Sequence, residues 1–300
     1  MATFHLSMKQ ISRAAGRSAT AAAAYRAGVE IIDTRTGLVH DYRRRTGVLY
    51  SQLILPSDGS ANRAEFWNRI EAHHRRGDAV LAREIEVSLP AELSCNARQA
   101  LAVNYARELA QRYGVAVDVA LHGPGKGGDA RNYHAHLLLT ACAVRQDGAL
   151  GRKVIELDPL ACQKRGPGRE ACSPPADRER PRWQELVNQA LAAAGSVSRV
   201  DHRSHEARGL EGAPGIHIGP ASTQLERAGI RTRLGNVNRR LELQNKRLRD
   251  EQLKLTAPQT RLDEEPAAEH GRRRPLQRRA RLQNERPPRP SRNNGPRGPR

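Results

Sequence analysis

Three histidines, His122, His134 and His136, stand in an alternating stretch over residues 114–140. Apolar residues alternate with small or polar ones on both sides of a glycine-rich connection, and this two-residue period predicts two antiparallel strands. His134 and His136 then share one face of their strand, and pairing of the hairpin brings His122 towards it. Three imidazoles without a nearby thiolate suit a divalent cation that keeps open positions for water or phosphate oxygen. The alternative is that His134 and His136 are ordinary polar strand residues.

Two carboxylates alternate on a second predicted strand, in the sequence REIEVSLP that begins at Arg83. Because its apolar residues share one side, Glu84 and Glu86 share the other. Such a pair is usually a solvated face of a strand. If that face is also the histidine face, the carboxylates could orient a ligand imidazole or accept a proton.

Tyr25 is the one large side chain of a predicted alanine-rich helix. Ser18 can cap this helix, which we predict to begin at Ala19 and to end at Gly28. The alanines favour helix and add almost no bulk, so the helix can lie close against a sheet. On residue type alone, Tyr25 is expected to be an aromatic anchor between the helix and the sheet.

The same patterns predict the elements around these residues. His5 lies on a first strand as a fourth candidate for the histidine face, although we favour a structural role for it. The other expected elements follow in chain order: a strand over residues 3–8, an amphipathic helix over 62–74, a helix over 93–113, a short strand over 141–144, a linker or mobile loop over 167–181, and a helix over 183–194.

The charge of the chain predicts a polyanionic partner. The formal net charge is +19, and the last thirty residues hold eleven arginines against one acid, Glu285, so +10 of that charge lies in the tail. Binding through phosphate neutralisation would depend strongly on salt. The four cysteines form no CxxC pair and the N-terminus lacks an apolar run, so we expect reduced thiols, a cytoplasmic setting, and neither a secretory signal nor a membrane span.

The C-terminal third carries weaker signals. His202, His205 and His217 are irregularly spaced and fit no common metal-ligand pattern. Beyond residue 224, leucines recur every seven residues, but Gln and Glu hold the other core positions, so a polar, solvated helix is favoured over a coiled coil. After Thr256 the composition is that of a disordered tail.

In this order and spacing, the sequence resembles the MobA/MobL (MobQ-type, TraA-like) family of plasmid conjugative relaxases. The resemblance covers residues 1 to about 229 and rests on FHLSMK, GRSATAAAAYRAG, REIEVSLP, VDVALHGP, NYHAHLLLT, and the block from RVDHRSHEARGLE to GIHIGP. It implies an α+β fold, in which an antiparallel sheet of about five strands is flanked by helices, as in other nucleases that combine a tyrosine with paired histidines. We therefore expect a relaxase domain over residues 1–229, a polar helix over 230–256, and a disordered Arg/Pro-rich tail over 257–300.

The resemblance also implies a role for each candidate residue. Tyr25 matches the nucleophile, and His122, His134 and His136 match the ligands of a divalent ion, Mg²⁺ or Mn²⁺. Glu84 and Glu86 match an acidic pair of the active-site strand, without indicating which one handles the proton. The implied reaction is a strand-specific nick at a plasmid origin of transfer, which leaves a 5′-phosphotyrosyl DNA that can later be rejoined.

The implied partners are single-stranded or locally melted plasmid DNA, relaxosome accessory proteins, and a type IV secretion coupling protein, with possible export alongside the transferred strand. The Arg-rich tail would then be a DNA grip, an export signal, or an inert solubilising end. As a group, the candidates for contacts to the DNA backbone are Arg13, Arg17, Arg26, Arg43, Arg44, Arg45, Lys126 and Arg131.

Two other functions remain open from the sequence. One is a non-catalytic DNA-binding or replication-accessory protein whose histidines hold a structural ion. The other is a metal-dependent phosphodiesterase that uses water instead of Tyr25.

Overall fold

A five-stranded antiparallel sheet lies at the centre of the computed structural model, which describes residues 2–57, 59, 61–125, 129–159, 174–210 and 212–256. Its strands lie in the order β1-β5-β7-β6-β4, so the expected sheet of about five strands is confirmed. The strands are β1 (Leu6–Ser12), β4 (Val48–Ile54), β5 (Val80–Leu89), β6 (Val117–His122) and β7 (Tyr133–Thr140). Two short hairpins lie outside it: β2 (Glu30–Ile32) with β3 (Val39–Asp41), and β8 (Cys142–Val144) with β9 (Leu150–Lys153).

The described residues also form six α-helices. They are α1 (Ala19–Ala27), α2 (Arg63–His73), α3 (Cys95–Tyr113), α4 (Pro175–Ala193), α5 (Gly219–Arg227) and α6 (Arg233–Thr256). Odd-numbered residues of β5, β6 and β7 pack with α3 and α4 in one apolar core. On the opposite face, α1 and α2 cover one end of the sheet in a second core. The other end of that face keeps its polar residues, and the candidate site lies there.

The position of α1 is set by small residues and by one buried carboxylate. Five of its alanines are buried, so its backbone lies close to the sheet. Ser18 caps the helix by accepting a hydrogen bond from the backbone N–H of Ala21, as expected. Glu71, on α2, accepts from the backbone N–H of Ala19 at 2.6 Å and pairs with Arg13 at 2.8 Å. These contacts fix the start of the helix that carries Tyr25.

The end of α1 depends on a glycine. Gly28 has φ +67°, a left-handed conformation that other residues adopt at a cost, and its backbone N–H closes the helix on the carbonyl of Ala24. A Cβ at this position would lie 3.1 Å from Cγ2 of Val48, at the start of β4. The helix therefore ends where the sequence predicted, in close approach to the sheet.

Two expected elements differ from the structure. The first strand runs over residues 6–12 rather than 3–8, because its pairing with β5 begins at Leu6 and Val87 and continues to Ser12. The expected linker over residues 167–181 is wrong for its last seven residues, which belong to α4. Prolines are tolerated at a helix start, and the burial of Glu179 and Trp183 anchors this segment despite Pro181. Residues 167–173 lie outside the described part of the chain.

Residues 1–250 form one compact unit, and residues 251–300 form a second, of which the structure describes 251–256. The domain boundary expected at residue 229 stays a prediction, and the tail expected over residues 257–300 lies outside the described residues. No helix in the described ranges is both long enough and apolar enough to span a membrane.

Glu179 joins α4 to α3 in the first core, where its side chain is 1 % exposed. It accepts hydrogen bonds from the hydroxyls of Tyr105 and Tyr113 and pairs with Arg112 at 2.8 Å. Because Glu179→Ala would leave these three donors without their acceptor, we expect the free energy of unfolding to fall by about 3 kcal/mol. Urea denaturation measures this, with the exposed Glu185→Ala on the same helix as control; equal stability of the two variants would contradict the expectation.

Candidate active site

The hairpin of β6 and β7 brings the three candidate histidines together. His122 lies directly opposite His134 in the antiparallel register, and His136 follows two residues later on the same face. The ring centroids lie 4.7 to 5.3 Å apart, and one nitrogen from each ring lies within 4.8 Å of the others. The predicted convergence of these side chains is therefore present in the structure.

Each of the three rings has one nitrogen held by an oxygen atom. Nε2 of His122 lies 2.8 Å from the carbonyl oxygen of Arg26, and Nδ1 of His134 lies 3.1 Å from that of Asn132. Nδ1 of His136 lies 2.6 Å from Oε1 of Glu84. Carbonyl and carboxylate oxygens only accept, so we assign the ring hydrogens to these nitrogens. The remaining nitrogens, Nδ1 of His122 and Nε2 of the other two, then carry the lone pairs that a metal ion requires, and Nη2 of Arg45 lies 3.4 Å from that of His122.

Burial favours the neutral form of His122 and His134. It lowers the pKa of His122 to about 4 and also lowers the pKa of His134. Neutral imidazole is the form that binds metals, so these two rings are ready as ligands at neutral pH. An all-nitrogen donor set fits transition ions better than Mg²⁺, which prefers oxygen, and Mn²⁺ is the better match of the two expected ions.

Glu84 is buried, with 3 % of its surface exposed. The expectation that this carboxylate pair lies on a solvated face of its strand is therefore wrong for Glu84. It pairs with the Arg26 guanidinium through both oxygens, at 2.7 and 2.6 Å, and accepts from His136. Although burial alone would raise the pKa of Glu84, hydrogen bonds from His136 and Arg26 and the charge of Arg26 hold it well below its usual range. A carboxylate in this position orients the His136 ring and strengthens its free nitrogen as a donor.

Glu86 lies across from His136 in the strand pairing and faces the same side of the sheet. Lys9, on β1, binds its Oε2 at 2.7 Å, and this hydrogen bond holds the pKa of Glu86 below its ordinary value against the opposite effect of burial. Its side chain remains 26 % exposed. Glu84, Glu86 and His136 also lie close enough to share an ion, but Arg26 already neutralises Glu84.

Glu84→Gln is expected to weaken Mn²⁺ binding by roughly 10- to 100-fold, because the amide cannot replace the charge that orients His136. Isothermal titration of the protein with Mn²⁺ measures this directly. The exposed Glu65→Gln on α2 is the control. Equal affinities of the two variants would show that Glu84 does not act through His136.

Tyr25 is 44 % exposed, so the expectation of an aromatic anchor between helix and sheet is wrong. Its ring contacts Tyr42 edge-on at 5.2 Å between centroids. The next residue, Arg26, supplies both the carbonyl that holds His122 and the guanidinium that holds Glu84. The backbone of α1 thus connects Tyr25 directly to the histidine cluster.

Arg45 makes a second connection between Tyr25 and the histidines. Its guanidinium carbon lies 3.7 Å from the centroid of the Tyr25 ring, and Nη1 donates to the Tyr25 carbonyl. Its Nη2 lies 3.4 Å from Nδ1 of His122. The sequence indicated Arg45 only as one of a basic group, since neither its stacking nor its register is visible in a run of three arginines.

Four of the other basic candidates form ion pairs with acidic side chains. Arg13 and Arg26 hold the buried acids Glu71 and Glu84, and Arg43 and Arg131 pair with acids close to them in the chain. The side chain of Arg17 forms no hydrogen bond or ion pair within the described ranges, whereas its backbone N–H donates to the carbonyl of Ser12. Lys126 lies outside them.

The later histidines do not form a second metal centre among the described residues. Only two groups of three His, Cys, Asp or Glu side chains there come close enough to share an ion, and both include His136. His202 instead donates from its backbone N–H and from Nδ1 to Oε1 of Gln184 on α4. His5 also stands outside both groups.

Comparison with known proteins gives consistent matches. A family model described as the MobA/MobL family matches residues 17–228. "Mobilization protein MobL" of Acidithiobacillus ferridurans is 56% identical over 261 residues, which cover 80% of this chain and 66% of that protein. "Conjugal transfer protein TraA" of Rhizobium radiobacter is 30% identical over 262 residues, which cover 79% of this chain and 23% of that protein. The chain thus spans about two thirds of the first relative and under a quarter of the second.

One solved structure, described as "Molecular Basis of Vancomycin Resistance Transfer in Staphylococcus aureus", shares the fold with a TM-score of 0.57 and 28% sequence identity. The match covers 68% of this chain and 100% of that one.

Proposed function

The chain belongs to the MobA/MobL family, and on that premise we propose that it is a conjugative relaxase that nicks one strand of plasmid DNA at an origin of transfer. One observation carries this proposal: an exposed tyrosine is joined, through Arg45 and the backbone of Arg26, to three histidines that each bring one ring nitrogen within 4.8 Å of the others. Relatives named as mobilization and conjugal transfer proteins support the same role. The substrate is single-stranded or locally melted plasmid DNA.

His122, His134 and His136 would hold a divalent ion, with Mn²⁺ favoured over Mg²⁺ by the nitrogen ligands. When bound, this ion supplies Lewis-acid polarisation of the scissile phosphate and offsets its charge. The protein's own contribution is to fix the three rings: Glu84, the carbonyl of Asn132 and the carbonyl of Arg26 each hold one ring nitrogen, which leaves the second nitrogen of each ring as the one that would bind the ion.

Tyr25 is the proposed nucleophile. A tyrosine phenol has a reference pKa of about 10, so the hydroxyl must lose its proton to become reactive at neutral pH. The phenol oxygen then forms a bond to phosphorus, while the bond from phosphorus to the 3′-oxygen breaks and the 3′-oxygen leaves with a proton. Since the new tyrosyl ester is still a phosphodiester, attack by a 3′-hydroxyl reverses the step and reseals the strand.

Of the two carboxylates, Glu86 is the better candidate to accept the proton of Tyr25. Both oxygens of Glu84 are held by Arg26, and one of them also by His136. Lys9 binds only Oε2 of Glu86, and the side chain is partly exposed. Glu84 is therefore assigned to orienting His136, and Glu86 to proton transfer.

Arg45 is the proposed positioning residue for Tyr25. Its stacking on the ring holds the phenol in one orientation, and its charge is available to a phosphate oxygen. We expect Arg45→Ala to lower the single-turnover rate of covalent DNA capture by at least about tenfold, with little change in the circular dichroism spectrum. The neighbouring exposed Arg44→Ala is the control, and equal rates for the two variants would contradict the assignment.

Further partners follow from a relaxase role: accessory proteins that assemble on the origin and a coupling protein of a type IV secretion channel. The Arg-rich tail lies outside the described residues, and a non-specific grip on DNA is the simplest role for it.

Plasmid nicking tests the proposed function. The protein is incubated with supercoiled plasmid that carries its own origin and with Mn²⁺, and the products are separated after denaturation in detergent. We expect open circles that retain bound protein, and none when the metal is chelated or the origin is deleted. Binding to the origin without any nick would instead indicate a non-catalytic DNA-binding protein.

A further inference from the structure

A cleft of about 660 Å³ adjoins Tyr25 on the α1 side of the candidate site. It lies between α1, the turn that follows β1, and the β2–β3 hairpin. Tyr25 contributes to its wall, together with Ala21 and Ala22 from the same helix and Leu38 from the hairpin. Leu38 is 59 % exposed, although it is a large apolar residue. The cleft therefore has an apolar lining and a volume in the range typical of small-molecule sites.

Two buried nitrogen atoms and one arginine side chain in the lining of this cleft lack a partner. Nε2 of His40 and Nε of Arg13 are buried atoms without a hydrogen-bond partner. Arg17 also lines the cleft, and its side chain forms no hydrogen bond or ion pair within the part of the chain that is described. Buried polar atoms are normally satisfied, so the two without partners in this cleft are available to a ligand.

Asp33 is the acidic residue among those that line the cleft, and its charge does not neutralise the basic side chains there at short range. Asp33 accepts hydrogen bonds from the hydroxyls of Thr20 and Ser18 and from two backbone N–H groups in its own turn. Its carboxylate is therefore used within the protein. What remains for a ligand is an apolar surface beside a guanidinium, a combination that suits a planar base with its phosphate.

We propose that this cleft binds a base of the DNA strand on the 3′ side of the cut, within the first two nucleotides after the scissile phosphate. The proposal rests on the function proposed above. If Tyr25 takes up the 5′-phosphate at the cut, the nucleotides attached to that phosphate start at the wall of the cleft. One base would lie against Ala21, Ala22 and Leu38, and Arg17 would contact the adjoining phosphate. The cleft would thus recognise a base beside the cut, at a place distinct from the histidine cluster.

An abasic scan tests this subsite. Origin oligonucleotides that each lack one base across the cut are bound to the full-length protein in EDTA, which prevents cleavage, and affinity is measured by fluorescence anisotropy. We expect loss of one of the first two bases on the 3′ side to weaken binding about tenfold, as for a single stacked base. The same loss several nucleotides further along should have little effect.

Variants of the lining show where that base lies. Ala21→Phe, at a half-buried position of α1, should fill the cleft, weaken binding of the complete oligonucleotide about tenfold and remove the abasic penalty. Arg17→Glu should weaken binding without removing that penalty. The controls are Ala100→Phe and Arg107→Glu, both exposed on α3 against the other face of the sheet.

An abasic penalty that persists unchanged in Ala21→Phe would overturn the subsite, as would a scan with no penalty on the 3′ side in the wild-type protein. If Ala21→Phe fails to fold, the Arg17→Glu variant and the abasic scan of the wild-type protein still test whether the subsite exists. Failure of the proposed function gives a different result, because the wild-type protein would then bind these oligonucleotides but form no covalent adduct when Mn²⁺ is added.

Discussion

Tyr25→Phe is expected to abolish covalent capture of origin DNA, with a loss of at least roughly 1,000-fold in rate, because no other group replaces the phenol oxygen that bonds to phosphorus. The ring keeps its stacking on Arg45 and its contact with Tyr42, so the fold and the affinity for uncut DNA should change little. Capture is measured as a protein band shifted by a labelled oligonucleotide in a denaturing gel.

Tyr42→Phe is the matched control for this experiment. Its ring contacts Tyr25 edge-on, so it lies in the same surroundings but has no proposed chemical role. We expect it to retain capture within a few-fold of the wild-type rate. If Tyr25→Phe still cuts the DNA and leaves free ends, water is the nucleophile and the protein is a metal-dependent phosphodiesterase.

His134→Ala is expected to weaken Mn²⁺ binding by at least about 100-fold and to abolish nicking, because two imidazoles cannot hold the ion as three do. DNA binding in EDTA should persist, since the cleft and the basic surface do not depend on this ring. Isothermal titration with Mn²⁺ and the plasmid nicking assay measure the two effects separately.

His73→Ala serves as the control for His134→Ala. His73 lies at the end of α2, where Nε2 contacts the carbonyl of Gly151, and it belongs to neither cluster that could hold an ion. Its loss should leave both metal affinity and nicking unchanged. Normal Mn²⁺ affinity in His134→Ala would contradict a three-histidine site.

The two-residue period of the strands was enough to predict which residues share the face of the sheet that carries the candidate site. Alternation placed His134 with His136, and Glu84 with Glu86, and the structure adds that these pairs lie on neighbouring strands, with Glu86 opposite His136. The limits of α1 were also predictable, because capping by Ser18 and termination at Gly28 are local signals. Local patterns thus gave the elements and the faces of the strands that carry the site.

Contacts between residues far apart in the chain were not predictable. Glu84 was expected on a solvated face because nothing near it in the sequence reveals Arg26, which lies 58 residues away. Arg45 and His122 are 77 residues apart. The start of α4 was also missed, because its prolines and charged residues are typical of a linker and its anchors, Glu179 and Trp183, act only through the core. Burial and partner choice depend on tertiary packing, which a single sequence does not display.

Mapping the residue that becomes joined to DNA is the most direct test of the central claim, that the phenol of Tyr25 attacks the phosphate beside the three histidines. The wild-type protein is incubated with Mn²⁺ and an origin oligonucleotide, digested with protease and nuclease, and analysed by mass spectrometry. We expect a single modified peptide that carries a 5′-linked nucleotide on Tyr25. Attachment at any other residue, or cut DNA with no attached peptide, would contradict the claim.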